Sequence, residues 1–241
     1  GASYTATKKE FLNGTPLNIS AMRFGPDGHM YFLVGGRNTD SKLYRVRYVG
    51  SEASGSKQVK RDNQDLRDLR HSLEQFHGSA DGGIAAIKQA WPHLSHADRT
   101  IRYAARLAIE NQELNLWQDR VFAESDARAV IHASIALCRH GEKPLAGRVL
   151  KKLNAIAFDA LTRADKLALL RAYSLCMTRL GQAQPSDRKA VVAKLDPFFP
   201  SADEAINTEL CRVLSYLDAP AVVDKTVALM KVTQTKTLAY D

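Results

Sequence analysis

The chain has 241 residues, of which 45% are hydrophobic and 25% are charged, so it is long enough and apolar enough to bury a globular core. No apolar run approaches the ~20 residues of a membrane-spanning helix, and no signal peptide opens the chain. The net charge of +8 is uneven, because residues 1–60 hold nine Lys and Arg against four Asp and Glu, while residues 61–241 hold 25 against 22. The long second part is therefore nearly neutral, which argues against a nucleic-acid-binding protein.

Residues 1–50 are predicted to form a small antiparallel β meander. The turn signal Pro26-Asp27-Gly28 leads into a strand over His29–Val34, whose apolar residues on both faces predict cover on both sides. A second strand is predicted over Lys42–Val49 and a further one over Ile19–Phe24. Two or three strands do not fold alone, so this part needs a partner surface.

A polar stretch, SEASGSKQVK, predicts a linker over residues 51–61. From residue 62 to residue 241 the apolar spacing is helical, beginning with a stripe from Leu66 to Phe76. This second part is predicted to be a single helical-repeat domain.

The helical part contains an internal repeat that starts at aspartates. Counted from each aspartate, the residues at +3, +7, +10 and +11 are all apolar and share one helix face. An aspartate suits a helix N-terminus, where its carboxylate accepts hydrogen bonds from free backbone amides. The four starting residues are Asp98, Asp126, Asp165 and Asp203, and they are 28, 39 and 38 residues apart.

Each of these helices is followed by a second apolar segment, so the repeat is a two-helix unit. The segments contain, in chain order, Trp117 and Val121, Val149 and Leu153, Val191 and Leu195, and Val227 and Met230. Units of this length stack on their neighbours, because one unit cannot bury its inner face alone. The predicted fold is mainly α: a HEAT-like α-solenoid of stacked antiparallel helix pairs, preceded by the β meander.

Three cysteines, Cys138, Cys176 and Cys211, lie far apart in helical apolar patterns. Neither the paired spacing of a zinc site nor a disulfide framework is present, and we interpret all three as buried free thiols. No CxxCH motif occurs, so no covalent haem is expected. No cofactor is predicted for this chain.

The candidate ligand-binding residues are Arg99, Arg102 and Arg106, which follow the first repeat aspartate. The last two are four residues apart and could bind an anion together, but such arginines more often hold neighbouring repeats together through carboxylates. His93 and His96 are three apart beside Pro92, a spacing that favours a turn over a metal site. No nucleophile elbow or phosphate-binding glycine motif occurs, so neither catalytic nor metal-binding residues are predicted.

Several segments together resemble one family. They are GPDGHMYFLVGGRNTDSKLYRVRYVG, DLRHSLEQFHG, AWPHLSHADRTIRYAARLAIENQ and the following W-x-D-R. They resemble the middle of large bacterial membrane-bound dehydrogenases, in which a sorbosone dehydrogenase-like β-propeller is followed by HEAT-like repeats and a c-type cytochrome domain. The resemblance is close over about residues 20–120 and general beyond them.

The resemblance implies that this chain is a fragment, with residues 1–50 as the remnant of the last propeller blade. It implies a periplasmic or extracellular location for the full-length protein. The cofactor-facing loops and the haem motif of the family are absent, so no catalytic residue is carried over. We therefore expect a non-catalytic scaffold or protein-interaction module whose partner is a protein or a neighbouring domain, and whose N-terminal strands self-associate. The alternative is a solenoid that binds nucleic acid or another anion through its basic residues.

Overall fold

The structure is a computed structural model that describes residues 1–4, 8–36, 38–51, 62–78, 81–181 and 184–237. It divides into two compact units. The β unit comprises Tyr4–Asp62, and the helical unit comprises Asn63–Asp241 together with Gly1–Ser3. Most of the predicted linker, residues 52–61, lies outside the described residues.

The β unit contains an antiparallel sheet with the strand order β1 (Ile19–Phe24), β2 (Met30–Gly36) and β3 (Thr39–Val46). The turn before β2 closes as predicted, because Gly28 has a φ of +74° and its N–H donates to the carbonyl of Gly25 at 2.9 Å. The predicted small antiparallel sheet is confirmed. β3 begins and ends three residues before the predicted strand, because β2 continues to Gly36, which pairs with Thr39 across the hairpin.

Within the described residues, one face of β2 is covered and the other is open. Phe32 and Val34 are buried, and their face lines a cleft with residues 12–17. The side chain of Leu33 on the opposite face is 44% exposed, and its cross-strand neighbour Leu43 is 66% exposed. The prediction that the strand is covered on both sides was therefore wrong: an apolar alternation identifies both faces but cannot say whether another element lies over each.

The rest of the fold is mainly helical, as predicted, with 59% of the protein in helices. The described part of the helical unit contains α1 (Gln64–Glu74), α2 (Gly83–Ala90), α3 (Arg99–Glu110), α4 (Gln118–Ala123), α5 (Ala127–His140), α6 (Ala146–Asn154), α7 (Arg163–Leu175), α8 (Pro185–Leu195), α9 (Glu204–Tyr216) and α10 (Val222–Thr237).

Three of the four repeat aspartates begin helices as predicted. Asp98, Asp126 and Asp203 are the N-caps of α3, α5 and α9, and each accepts a hydrogen bond from a backbone amide of the first turn. The fourth differs, because the N-cap of α7 is Thr162, whose hydroxyl accepts from the backbone N–H of Asp165 at 3.3 Å. The aspartate thus lies inside the first turn of α7, and the predicted start was three residues late.

This shift explains where the predicted core face fails. Of the sixteen apolar repeat positions, all are buried except Ala168 and Leu175, which are both in α7 and only partly buried. The buried face of α7 instead includes Leu169 and Tyr173. The alanines at +7 in the first three repeats are fully buried at 0% exposure, namely Ala105, Ala133 and Ala172.

The helices pack in chain order. Each odd-numbered helix contacts the next odd-numbered helix from α1 to α9, and α4, α6 and α8 contact one another in the same succession. Among the described residues, helices that pack extensively are never more than two places apart along the chain. The core is therefore built from neighbouring helices along the whole helical unit.

The second apolar segments are buried in three cases out of four. Val227 and Met230 of α10 are 44% and 57% exposed, which contradicts the predicted pattern. α10 packs on α9, with Val222 buried and Leu229 against the core, so its inward face is a different one. Among the described residues, α9 is the helix on which α10 packs most extensively, and part of the apolar surface of α10 stays open.

Candidate functional site

Hydrogen bonds hold the first residues of the chain at the N-terminus of α3. The Asp98 carboxylate accepts from the backbone N–H of Thr100 at 2.7 Å and from that of Ala2 at 2.9 Å. Arg70 of α1 in turn donates to the Ala2 carbonyl at 2.8 Å. Burial alone would raise the pKa of Asp98, but these backbone hydrogen bonds lower it below its ordinary value. The carboxylate is thus held ionised at the helix start.

Two of the candidate arginines differ sharply in exposure. Arg99 lies on the surface, while Arg102 is nine-tenths buried. Nη1 of Arg102 donates to the carbonyl oxygens of His96 and Ala97 at 2.6 and 2.8 Å. This guanidinium therefore fixes the chain that enters α3 and does not share a surface with Arg99.

The third candidate, Arg106, belongs to a buried charge cluster between two helices. Its Nε lies 3.0 Å from a carboxylate oxygen of Glu110, whose side chain is only 2% exposed. Nε of Arg139 on α5 donates to the other oxygen of Glu110 at 2.8 Å. Glu110 thus joins α3 to α5 through Arg139, whereas its contact with Arg106 lies within α3. The predicted inter-repeat role is therefore filled by Arg139 and not by the candidate Arg106.

Glu110 was not singled out from the sequence. Its position could have identified it, because it directly follows the apolar +10 and +11 residues at the end of α3. A carboxylate next to that buried face needs a cation, and the arginine four residues earlier supplies one.

A second ion pair joins α5 to the start of α7. Nε and Nη2 of Arg128 donate to the two oxygens of Asp165 at 2.8 and 2.7 Å, and the hydroxyl of Thr162 donates to the same carboxylate at 2.7 Å. Burial would raise the pKa of Asp165, but the hydrogen bonds from Arg128 and Thr162 lower it. The pairing is bidentate, which fixes the relative orientation of the two helix starts.

The same connection recurs one repeat later. Arg163 of α7 donates through Nε and Nη2 to both carboxylate oxygens of Asp203, the N-cap of α9. The hydrogen bond from Arg163 lowers the pKa of this carboxyl. We call the two arginine–aspartate pairs, Arg128–Asp165 and Arg163–Asp203, the arginine ladder.

A ladder of lysines connects the even-numbered helices. In each case the ammonium group donates to carbonyls at or just beyond the C-terminus of the preceding even-numbered helix, where free carbonyls and the negative end of the helix dipole favour a cation. Burial lowers the pKa of Lys194 on α8 to about 8. In the lysine ladder, Lys152 donates to the carbonyl of Phe122 at 2.8 Å, and Lys225 donates to the carbonyl of Asp196 at 2.9 Å. Lys194 donates to the carbonyls of Leu153 and Asn154 at 2.9 Å each, and also to that of Ile156.

His132 lies on α5 among these charged groups. Burial, with the positive charges of Arg102 and Arg106 nearby, lowers its pKa to about 4. Its Nδ1 atom is buried and has no hydrogen-bond partner within the described ranges. The imidazole is therefore neutral at physiological pH.

The cysteines are placed in two different ways. Cys138 and Cys176 are buried, and the thiol of Cys176 donates to the carbonyl of Ala146 at 3.7 Å, while Cys211 is half-buried next to Thr226. All three are free thiols, as predicted, but the predicted burial was wrong for Cys211, which is only half-buried. The spacing of the first two did not predict that they belong to packed elements, α5 and the π-helical turn Cys176–Leu180.

No cluster of three or more metal-ligating side chains is found among the described residues, and no described helix is long and apolar enough to cross a membrane. His96 uses Nδ1 to accept from the backbone N–H of Asp98 at 2.9 Å, so one nitrogen of the His93–His96 pair has a structural role.

Comparison with protein-family models, with curated proteins and with solved structures finds no match to this chain. The interpretation of the site therefore rests on the residues and contacts described above. These contacts connect each helix pair to the next.

Proposed function

We propose that the helical unit is a HEAT-like α-solenoid that acts as a non-catalytic scaffold or protein-interaction module. The packing of odd-numbered helices in chain order and the parallel succession of α4, α6 and α8 support this proposal. In a solenoid each repeat contacts only its neighbours, and the resulting extended surface serves for binding.

The recurrence of the ladders is the observation that carries the proposal. The arginine ladder joins residues 37 and 40 positions apart, which is close to the length of one two-helix repeat. Its members use the first turn of one helix to contact the start of the next odd-numbered helix. A connection that repeats at the period of the fold is expected of stacked units.

The wider placement follows from the resemblance of about residues 20–120. We propose that the chain is part of a larger secreted or periplasmic dehydrogenase-like protein, with the β unit as the remnant of a propeller blade. The exposed apolar residues of the sheet support a missing neighbour, because Leu33 and Leu43 lie open on one face. No residue of this chain is proposed to be catalytic.

The gene around this coding region tests that placement. We expect further propeller blades upstream and a CxxCH motif downstream, and the separately produced neighbouring domains should bind this chain in a calorimetric titration. A gene that encodes neither, or neighbours that do not bind, would contradict the proposal.

Binding of nucleic acid or another anion through Arg99, Arg102 and Arg106 is the competing proposal. It has less support, because Arg102 and Arg106 are engaged with internal acceptors and only Arg99 is exposed.

A gel-shift titration separates the two proposals. With a helical unit of low net charge, duplex DNA should bind weakly and ~200 mM salt should abolish the complex. The substitution Arg99→Gln should change this binding no more than Lys189→Gln, an exposed charge removal on α8. Tight, salt-resistant binding that Arg99→Gln weakens selectively would replace the scaffold proposal.

A further inference from the structure

A buried carboxylate holds two arginines by the same atom of each guanidinium group. The side chain of Glu110 is 2% exposed, and its two oxygens lie 3.0 Å from Nε of Arg106 and 2.8 Å from Nε of Arg139. Within the described residues, the Nη1 and Nη2 atoms of these two arginines have no hydrogen-bond partner. The outer ends of both guanidinium groups can therefore donate to a further acceptor.

The two arginines share a surface with a tyrosine and a histidine. The side chain of Arg139 is 42% exposed, whereas that of Arg106 is 16% exposed and its Nε atom is buried. His140 is 43% exposed, and its Nε2 atom lies 3.7 Å from the same carboxylate. Tyr103 is 52% exposed, and its ring centroid lies 5.2 Å from the guanidinium carbon of Arg106. We call Tyr103, Arg106, Arg139 and His140 the Glu110 surface.

The charges on the Glu110 surface do not cancel. Two arginines share one carboxylate, so one positive charge is in excess even with His140 counted as neutral. The helix α5 contains no aspartate or glutamate. Among the described residues, Glu113 and Glu142, the exposed acids that follow α3 and α5, form no ion pair with either arginine. A single carboxylate from another molecule would balance the excess charge, whereas a phosphate group carries more negative charge than is needed.

We propose that the Glu110 surface docks an acidic segment of a partner protein, one carboxylate of which accepts hydrogen bonds from the Nη atoms of Arg106 and Arg139. This inference rests on the proposed scaffold function and names the chemistry of the partner. The planar guanidinium group matches the two oxygens of a carboxylate. An apolar neighbour of the acidic residue packs on the exposed ring of Tyr103, since tyrosine and arginine side chains often supply most of the binding energy of an interface.

Glu110 is a positioning residue in this proposal. Because its oxygens hold the Nε atoms of both arginines, the guanidinium groups are oriented before the partner arrives. Less side-chain entropy is then lost on binding. Arg99 and Arg102 have no part in this surface, which separates it from the anion site expected from the sequence.

Fluorescence anisotropy of a labelled peptide with the full chain tests the proposal. The probe is a short peptide of glutamate, serine and leucine, and the same peptide with glutamine in place of glutamate is its control. We expect Arg139→Gln to weaken binding of the acidic peptide ~10-fold, because the donors to its carboxylate are lost. Arg99→Gln removes the same charge from an exposed position of α3 and should have an effect of less than ~2-fold.

A second variant separates binding from folding. Arg139→Lys keeps a cation beside Glu110 but lacks the planar guanidinium group, so it should keep the circular dichroism spectrum of the native chain and still lose most of the affinity. The proposal is overturned if the acidic peptide binds no more tightly than its glutamine control, if Arg139→Gln and Arg99→Gln weaken binding equally, or if Arg139→Lys binds like the native chain.

The calorimetric titration with the neighbouring domains distinguishes this inference from the proposed function. Neighbouring domains that bind while the acidic peptide does not would overturn the Glu110 surface and leave the scaffold proposal standing. An acidic peptide that binds through Arg139 while the neighbouring domains do not would support the Glu110 surface and contradict the placement in a larger dehydrogenase-like protein.

Discussion

Fully buried alanines set how closely neighbouring helices approach. Ala105 and Ala133 lie seven residues after the N-caps of α3 and α5, Ala172 lies ten residues after that of α7, and none of the three is exposed. α5 contacts both α3 and α7, so Ala133 lies in the helix with packed neighbours on two sides. A side chain as small as the methyl group of alanine allows the axes of neighbouring helices to approach closely at this point.

Replacing Ala133 with leucine should therefore overpack the core. We expect Ala133→Leu to lower the free energy of unfolding by about 1–3 kcal/mol, because three additional carbons must displace packed neighbours. Urea denaturation followed by circular dichroism measures this. Ala193→Leu, at an exposed position of α8, is the control and should have little effect. An unchanged midpoint for Ala133→Leu would show that the assigned core position is wrong.

His132 gives the protein a specific dependence on pH. The unfolded chain binds a proton at this residue near the ordinary pKa of 6.5, whereas the folded chain binds it only near 4. Between these values the unfolded state holds more protons, so the free energy of unfolding falls as the pH decreases from about 6.5 to about 4. The loss should be about 2 kcal/mol, since part of the imidazole remains accessible to solvent.

The substitution His132→Gln should remove this contribution and flatten the stability curve over the same pH range. Thermal unfolding at pH values of about 4.5, 5.5 and 7, which cover the interval between the two pKa values, measures the difference in stability between the native and His132→Gln chains. His71→Gln, at an exposed position, should leave the slope of the native chain unchanged. Parallel curves for the native and His132→Gln chains would contradict the assignment.

At the scale of helices, lysines cap the ends of their neighbours. Lys194 of α8 donates to carbonyls at the C-terminus of α6, including those of Leu153 and Asn154 at 2.9 Å. The carbonyls of a last helical turn have no partner within their own helix. A single ammonium group from the next unit therefore satisfies several of them at once.

Removing this cap should loosen α6. We expect Lys194→Met, which keeps the length of the side chain, to cost about 1–3 kcal/mol of unfolding free energy because buried carbonyls lose their donor. Amide exchange should accelerate at the C-terminal end of α6, and urea denaturation should show the loss in stability. The matched substitution on the same helix, Lys189→Met, removes an exposed charge and should do neither. Equal effects of the two substitutions would mean that the lysine ladder contributes no stability.

At the scale of the whole molecule, the outer strands of the β unit pair with no further strand among the residues that the structure describes. β1 and β3 are the outer strands of the sheet, and Met22 and Leu43 on them are 55% and 66% exposed. An exposed apolar edge accepts a further strand, so we expect the chain to self-associate at high concentration.

Light scattering across a concentration series measures this association. The double substitution Met22→Lys and Leu43→Lys should keep the chain monomeric, because charged residues on outer strands oppose pairing. Val223→Lys introduces a lysine at an exposed apolar position of α10 and should leave the association unchanged. A native chain that stays monomeric at every concentration would contradict the expectation.

Local pattern was sufficient to predict much of this fold from the sequence. The strand Ile19–Phe24 lies where it was predicted. Asp98, Asp126 and Asp203 are N-caps as predicted, because a short carboxylate at that position accepts hydrogen bonds from the free amides of the first helical turn. The start of α7 was misplaced because Thr162 and Asp165 are both good cap residues, and spacing alone does not choose between them.

What depended on tertiary structure is which side chains meet. The sequence indicated Arg99, Arg102 and Arg106 as a group, but packing buries one, pairs another with Glu110 and leaves the first on the surface. Arg128 and Asp165 are 37 residues apart and carry no mutual signal in the chain. Periodicity along a helix fixes which face is apolar, whereas contacts between helices depend on how those faces stack, and that is decided only when the whole chain folds.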